Sequence, residues 1–396
     1  MIRAVAGLLP VGVAALLLAG MPPDGFESVS ARSEGPADAR SRAAARVWQA
    51  EALRLSEAWK VSTGRGVLVA VLDTGVDTRH PDLAGAVVEG PDLTGQARAK
   101  ARSGHHGTAM ASLIAGRGHD GGHGVVGVAP DARVLSVRVT LENDDPVRAR
   151  QQATATGRDA LARGIRYAVD RGAQVVSMSL GGGSGAWEGS AAEEEAVQYA
   201  ISRGTVLVAS SGNDGDSTNR KNFPAAYPGV IAVGAVDRRL KVPEFSNRQD
   251  YLSVVAPGTQ IVSADGPGGY VVGDGTSSAA AMVAGIAALV RAEYPDLSPY
   301  HVRMAIERGT KRRPADGHSR AYGHGVADAL LALREAERLA RPPASRAERV
   351  DGYFGGGPLP DAPGSRVAVV LAMIVLTLAM SARVIVLHFR ERRHSP

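Results

Sequence analysis

The middle of the chain carries short apolar runs at Val67–Leu72, Arg133–Val139, Gln174–Leu180, Val206–Ala209, Val230–Val236 and Leu252–Ala256, several of them continuous rather than alternating. A strand with one face in water alternates polar and apolar residues, so runs of this kind mark strands buried on both faces of a sheet. Between them, Gly157–Arg171 and Ser190–Arg203 place apolar residues at helical spacing. The second sets Glu193, Glu194 and Glu195 in its first turn, where the helix dipole favours negative charge. Strands and helices in alternation predict an α/β fold over residues 47–340, with a mostly parallel central sheet and helices on both faces.

The ends of the chain do not belong to that core. Met1-Ile2-Arg3, an apolar run from Ala4 to Gly20 and then Met21-Pro22-Pro23 have the order of a secretory signal over residues 1–23. Cleaved or kept as an anchor, it carries the main domain out of the cytoplasm. Residues 24–46, rich in Ala, Ser, Arg, Gly and Pro, read as a flexible arm too short for a folded pro-domain. Residues 341–366 hold Arg341-Pro342-Pro343 and Gly355-Gly356-Gly357-Pro358, the composition of an extended spacer. Val367–Leu387 is nearly all apolar, and a helix of that length spans roughly 30 Å, the thickness of a bilayer core. A transmembrane helix is therefore expected there, with Arg383 near enough to its end to snorkel. Arg390, Arg392 and Arg393 lie in the tail 388–396, against Arg366 alone before the helix, so the positive-inside bias keeps the tail cytoplasmic and the domain outside. The expected location is the cell membrane, single-pass, with the domain extracytoplasmic.

The chain has no cysteine, which excludes disulfides and thiol chemistry and leaves any nucleophile to be an oxygen. Its formal net charge of +5 comes from scattered arginines without aromatic interleaving, so no nucleic-acid partner is expected.

Three segments place a polar side chain at the edge of a regular element. Asp73-Thr74-Gly75 follows the strand Val67–Leu72, at the carboxyl end where open α/β sheets put their sites. Alone it is equally a strand-ending turn, or one half of a paired-carboxylate aspartic peptidase site. His106-Gly107-Thr108 opens a run of small residues, with Gly107 allowing close approach and His105 beside it as a surface alternative. Gly275-Thr276-Ser277-Ser278-Ala279 precedes the apolar run Ala280–Val290 and puts Ser277 at the mouth of a helix, where an isolated serine would be an N-cap. Together they offer what a serine nucleophile needs: a histidine to take its proton and a carboxylate to fix the histidine's tautomer. Asn213, after the strand Val206–Ala209, could donate to an oxyanion.

The series Val71-Leu72-Asp73-Thr74-Gly75, His80-Pro81-Asp82-Leu83, His106-Gly107-Thr108, Gly127-Val128-Ala129-Pro130, Ser177-Met178-Ser179-Leu180-Gly181-Gly182, Ser211-Gly212-Asn213 and Gly275-Thr276-Ser277 resembles the subtilisin-like serine peptidases over about residues 55–335. The resemblance implies a subtilisin-like three-layer fold and an endopeptidase in which Asp73 orients, His106 is the general base, Ser277 attacks, and Asn213 with the Ser277 N–H holds the oxyanion. It also implies that a polypeptide substrate adds as a strand along Ser179, Leu180, Gly181 and Gly182, and that no cofactor is required. The signal, spacer and C-terminal helix resemble the mycosins, membrane-anchored proteases of type VII secretion, which would make such a secretion complex a partner.

Ala281 stands where the family usually has proline and Met282 where histidine is common, so an altered first turn of the helix is expected. The paired cysteines of mycosins are absent. His119 and His123 have metal-ligand spacing, but Gly121, Gly122 and Gly124 interrupt any helix there, which argues against zinc. Structural calcium is not indicated, and metal binding stays open. Two rival functions are a protease-shaped scaffold of a membrane secretion complex and an aspartic peptidase. The second lacks another Asp-Thr-Gly to complete its pair.

Overall fold

The computed structural model describes residues 26–27, 48–95, 104–119, 123–154, 157, 159–181, 189–266, 268–341 and 371–383. The chain divides into two compact units, Met1–Arg341 and Pro342–Pro396.

In the first unit the strands run β1 (Leu68–Asp73), β2 (Val87–Asp92), β3 (Arg133–Arg138), β4 (Val175–Met178), β5 (Val206–Ser210), β6 (Ile231–Val236), β7 (Val254–Pro257), β8 (Ile261–Asp265), β9 (Gly269–Gly273), β10 (Thr310–Lys311) and β11 (Val326–Ala327). Nine of them form one sheet in the order β10-β11-β7-β6-β5-β4-β1-β3-β2. Every pairing in it is parallel except that of β10 with β11. The helices used below are α1 (His105–Ala115), α2 (Ala160–Asp170), α3 (Ala191–Ser202), α4 (Thr276–Glu293), α5 (Pro299–Arg308) and α6 (Ala329–Ala340).

The continuous apolar runs have the cause expected of them. In β1, Val69 and Val71 pack into one core with α1, α4, α5 and α6, while Ala70 and Leu72 pack into a second core with α2 and α3. Helices therefore cover both faces, and the central strands have no solvent side. Helix α4 is buried without a break from Thr276 to Arg291, which fits a sequence apolar on every face and built of small residues. It runs as an α-helix from Thr276 through Ala281. Alanine keeps the N–H that proline lacks, and α-helical geometry directs it to the Ser277 carbonyl.

Elements away from the buried strands differ from the sequence expectation, among them the short antiparallel pair Arg117–His119 and His123–Val126. The edge strand β2 is half exposed, with a register shift between Glu89 and Asp92, so it lacks the apolar run by which the inner strands are read. The antiparallel hairpin of β8 and β9 stands outside the main sheet. Within the arm expected to be loose, Phe26–Glu27 pairs antiparallel with Val272 and Gly273 of β9, using backbone groups that an edge strand leaves open.

In the second unit the described residues are helical over 371–383, and their large apolar side chains are exposed, Met373 at 66% and Val375 at 65%. Among the described residues no helix is long and apolar enough to cross a membrane. The expected span Val367–Leu387 runs past this helix at both ends, and those flanks, with residues 1–23, 342–366 and the tail 388–396, lie outside the described residues.

Candidate active site

Asp73 is the last residue of β1, which lies between β3 and β4 in the interior of the sheet, third from the β2 edge. The strand end fixes its backbone: the Asp73 carbonyl accepts from the Val139 N–H at 2.9 Å. Its side chain is 1% exposed, and Oδ1 accepts from the Thr74 N–H at 2.7 Å. The same oxygen pairs with His106 Nδ1 at 2.8 Å. Oδ2 is buried and has no hydrogen-bond partner among the described residues. A carboxylate held this way can set the imidazole tautomer and stabilise the ring when it gains a proton.

His106 sits in the first turn of α1, whose N-cap is Gly104. The turn is seated on the Asp73-Thr74-Gly75 loop. The Gly107 N–H donates to Thr74 Oγ1 at 3.1 Å, and a Cβ built on Gly107 would fall 2.0 Å from the Gly75 carbonyl oxygen. Glycine is thus required at 107 because any side chain would push the helix, and His106 with it, off the strand end that carries Asp73. The close approach anticipated at Gly107 is this contact.

Beside His106, His105 points elsewhere: its Nδ1 lies 2.5 Å from Asp265 Oδ1 at the tip of the β8–β9 hairpin. That hydrogen bond raises the His105 pKa above the ordinary histidine value, against a smaller opposing effect of burial. The charges of Glu142 and Asp144 add to the upward shift. The two adjacent histidines are separated by their carboxylates, one in the buried strand end and one on the hairpin.

Ser277 is the second residue of α4 and 9% exposed. Its Oγ is 3.4 Å from the Ser179 carbonyl, a long contact for a hydroxyl donor, while Ser179 Oγ donates to the Ser277 carbonyl at 2.9 Å. Asn213 follows β5 and is tied to the same helix end: its Oδ1 accepts from both the N–H and the Oγ1 of Thr276 at 2.8 Å. Two donors on Oδ1 fix the amide orientation, so that Oδ1 is the acceptor at the first residue of the helix and Nδ2 is the donor on the other side of the amide. A Cβ on Gly275 would lie 3.3 Å from that Nδ2. Donors held in advance at a helix N-terminus are suited to stabilising negative charge on an oxygen.

Ser179, Leu180 and Gly181 follow β4, and Gly182 lies outside the described residues. The Leu180 carbonyl accepts from Ser210 Oγ at 3.4 Å, which joins this segment to the end of β5. Gly181 has φ 141°, and a Cβ there would meet the Asn222 amide at 2.3 Å, so Asn222 packs directly against its backbone. Asn222 in turn donates to the Ser210 carbonyl at 2.8 Å.

The structure therefore brings Asp73 and His106 into contact, and sets Ser277 and Asn213 together on the mouth of α4 beside Ser179. Sequence reasoning missed Thr74, Thr276, Glu142 and Asn222, which hold these residues in place. Thr74 and Thr276 stand within the motifs themselves, and a hydroxyl beside each functional residue was the available signal. Glu142 and Asn222 come from distant loops, and nothing local marks them. His119 and His123 stand opposite each other in the antiparallel strands Arg117–His119 and His123–Val126, not in a loop; His119 Nδ1 lies 2.6 Å from Asp82 Oδ1, and the His123 side chain is outside the described residues. Among the described residues no group of three or more His, Cys, Asp or Glu could hold a metal ion.

Comparison with known proteins gives a consistent result. The sequence pattern of the Subtilase family of peptidases matches residues 64–325. Thermitase of Thermoactinomyces vulgaris is 37% identical over 276 residues, covering 68% of this chain and 92% of thermitase. Fervidolysin of Fervidobacterium pennivorans is 35% identical over 314 residues, 72% of this chain, which spans only 43% of fervidolysin's length. Among solved structures, MycP3 protease from the type VII (ESX-3) secretion system is 30% identical with a TM-score of 0.64, covering 79% of this chain and 92% of that one. MycP1 from Mycobacterium smegmatis is 30% identical with a TM-score of 0.63, covering 78% and 88%.

Proposed function

The chain belongs to the subtilase family of serine peptidases, and on that premise we propose that it is a membrane-anchored, extracytoplasmic serine endopeptidase acting through Asp73, His106 and Ser277. The observation that carries the reading is the hydrogen bond of 2.8 Å between buried Asp73 Oδ1 and His106 Nδ1, which directs the other ring nitrogen away from the carboxylate. His106 takes the Ser277 hydroxyl proton as Oγ adds to the substrate carbonyl, and returns it to the leaving amine. Asn213 Nδ2 and the Ser277 N–H stabilise the oxyanion. Water then repeats the sequence on the acyl-enzyme, with His106 again the base. Polypeptide substrate lies extended along Ser179–Gly181 and on toward Gly182, where the absence of side chains at the glycines lets its backbone approach.

The anchor is Val367–Leu387, a reading supported by its apolar sequence and by the exposed apolar residues of the helical part 371–383. Similarity to MycP1 and MycP3 supports a working place beside a type VII-like secretion complex.

The test expresses the full chain in a bacterial host. Expected are retention in carbonate-washed membranes, digestion of the domain by protease added from outside, and hydrolysis of an unfolded polypeptide that disappears in Ser277→Ala. A soluble chain would refute the anchor. Membrane-bound chain with no hydrolysis, and secretion that survives Ser277→Ala but not deletion, would replace the enzyme by a scaffold.

A further inference from the structure

The helix that carries His106 begins without a cap of its own. Its N-cap, Gly104, has no side chain to offer, and its first turn contains no acidic residue. Both are unfavourable for a helix N-terminus, whose open N–H groups and positive dipole end call for an acceptor and a negative charge. The acceptor comes from elsewhere in the chain. Glu142 Oε1 takes the Gly104 N–H at 3.1 Å and the His106 N–H at 3.3 Å.

The loop that delivers Glu142 is itself fastened to the strand end carrying the carboxylate partner of His106. Val139 and Thr140 donate their N–H groups to the Asp73 carbonyl at 2.9 and 3.4 Å. Leu141 is buried at 1% exposure and pins the loop between those bonds and Glu142. The segment Val139–Glu142 thus touches the backbone of Asp73 at one end and the backbone of His106 at the other. It is a third link between the two residues, beside the bond between their side chains and the Thr74 to Gly107 contact.

We propose that Glu142 is a positioning residue for the peptidase reaction, which caps the helix of the general base from an adjoining loop and fixes the His106 backbone relative to Asp73. The inference rests on His106 being the base. The effect falls on the chemical step, because Glu142 holds the backbone of the base and not the Ser179–Gly181 segment along which substrate lies.

The experiment measures kcat and KM for polypeptide hydrolysis by the full chain, as wild type, Glu142→Ala, Glu142→Gln and His106→Ala, together with amide hydrogen exchange at Gly104 and His106. Glu142→Ala is expected to lower kcat about 2- to 30-fold, the range spanned by a lost N-cap, with KM within about twofold. Glu142→Gln keeps an acceptor oxygen and is expected to recover most of that loss. Exchange at both amides is expected to quicken in Glu142→Ala. Wild-type kcat in Glu142→Ala, a loss confined to KM, or Glu142→Gln as impaired as Glu142→Ala would each overturn the inference. Hydrolysis that survives His106→Ala would refute the reading of the base instead, and unchanged amide exchange would then still refute the cap.

Discussion

The two helix N-termini that carry His106 and Ser277 are finished in opposite ways. Helix α1, bearing His106, is met by carboxylates: Asp73 on the ring, Glu142 on the backbone N–H groups, and Asp265 on the neighbouring His105. Helix α4, bearing Ser277, is met by a neutral amide, with Asn213 Oδ1 on Thr276. Asp274, the nearest acidic residue in sequence before that helix, is bonded to the Gln260 N–H at 2.6 Å. Neither helix has an acidic residue in its own first turn, so the difference lies in what the rest of the fold brings to each. It follows the chemistry. In the proposed reaction His106 as general base would carry a positive charge, which carboxylates favour, whereas the helix of Ser277 would receive a negative oxygen, which a nearby carboxylate would oppose.

Breaking the neutral end should cost the most. Asn213→Ala removes the side-chain donor proposed for the oxyanion and also the acceptor of the Thr276 N–H. The expected loss is about 10²- to 10³-fold in kcat, a magnitude taken from the equivalent kind of donor in a subtilisin, with KM little changed. Steady-state kinetics on a peptide ester and on a polypeptide would show it. A loss below about threefold would mean that the oxyanion is held elsewhere and the contrast between the two helix ends has no catalytic content.

The carboxylate end can be sharpened more gently through His105. Its pKa is raised, chiefly by the hydrogen bond to Asp265, so the protonated ring is favoured in the folded chain. The stabilisation is fully present below the ordinary histidine value of about 6.5 and is lost as pH rises through the raised folded value. Because the side chain is 41% exposed, solvent screens the pair. His105→Ala is therefore expected to lower Tm by only about a degree or two at pH ~5.5 and not measurably at pH ~9, with kcat near wild type in both. An equal effect at both pH values would show that His105 acts by packing and not by charge.

The inner architecture was legible because burial on both faces leaves a mark in the sequence. The expected strand Val67–Leu72 appears as Leu68–Asp73, and Val230–Val236 as Ile231–Val236. The helical stretches Gly157–Arg171 and Ser190–Arg203 appear, trimmed at their ends, as Ala160–Asp170 and Ala191–Ser202. Edge elements such as Val87–Asp92 were hidden because half-exposed strands need no continuous apolar run, and that one also holds Gly90 and Pro91. At the site, the candidate residues Asp73, His106, Asn213 and Ser277 stand out as types in short motifs. Glu142 did not, since capping a helix 36 positions earlier in the chain depends on where the loop after β3 is carried by the fold. Asn222, 12 positions from its acceptor Ser210, is invisible for the same reason.

The central claim is that the buried Asp73–His106 contact activates Ser277, and a fluorophosphonate probe reads that activation without knowledge of the substrate. The full chain in detergent would be labelled as wild type, Ser277→Ala and His106→Ala, with circular dichroism confirming that each is folded. Labelling is expected in the wild type at Ser277 and in neither variant. A folded wild type that never reacts, or labelling that persists in His106→Ala at the wild-type rate, would contradict it.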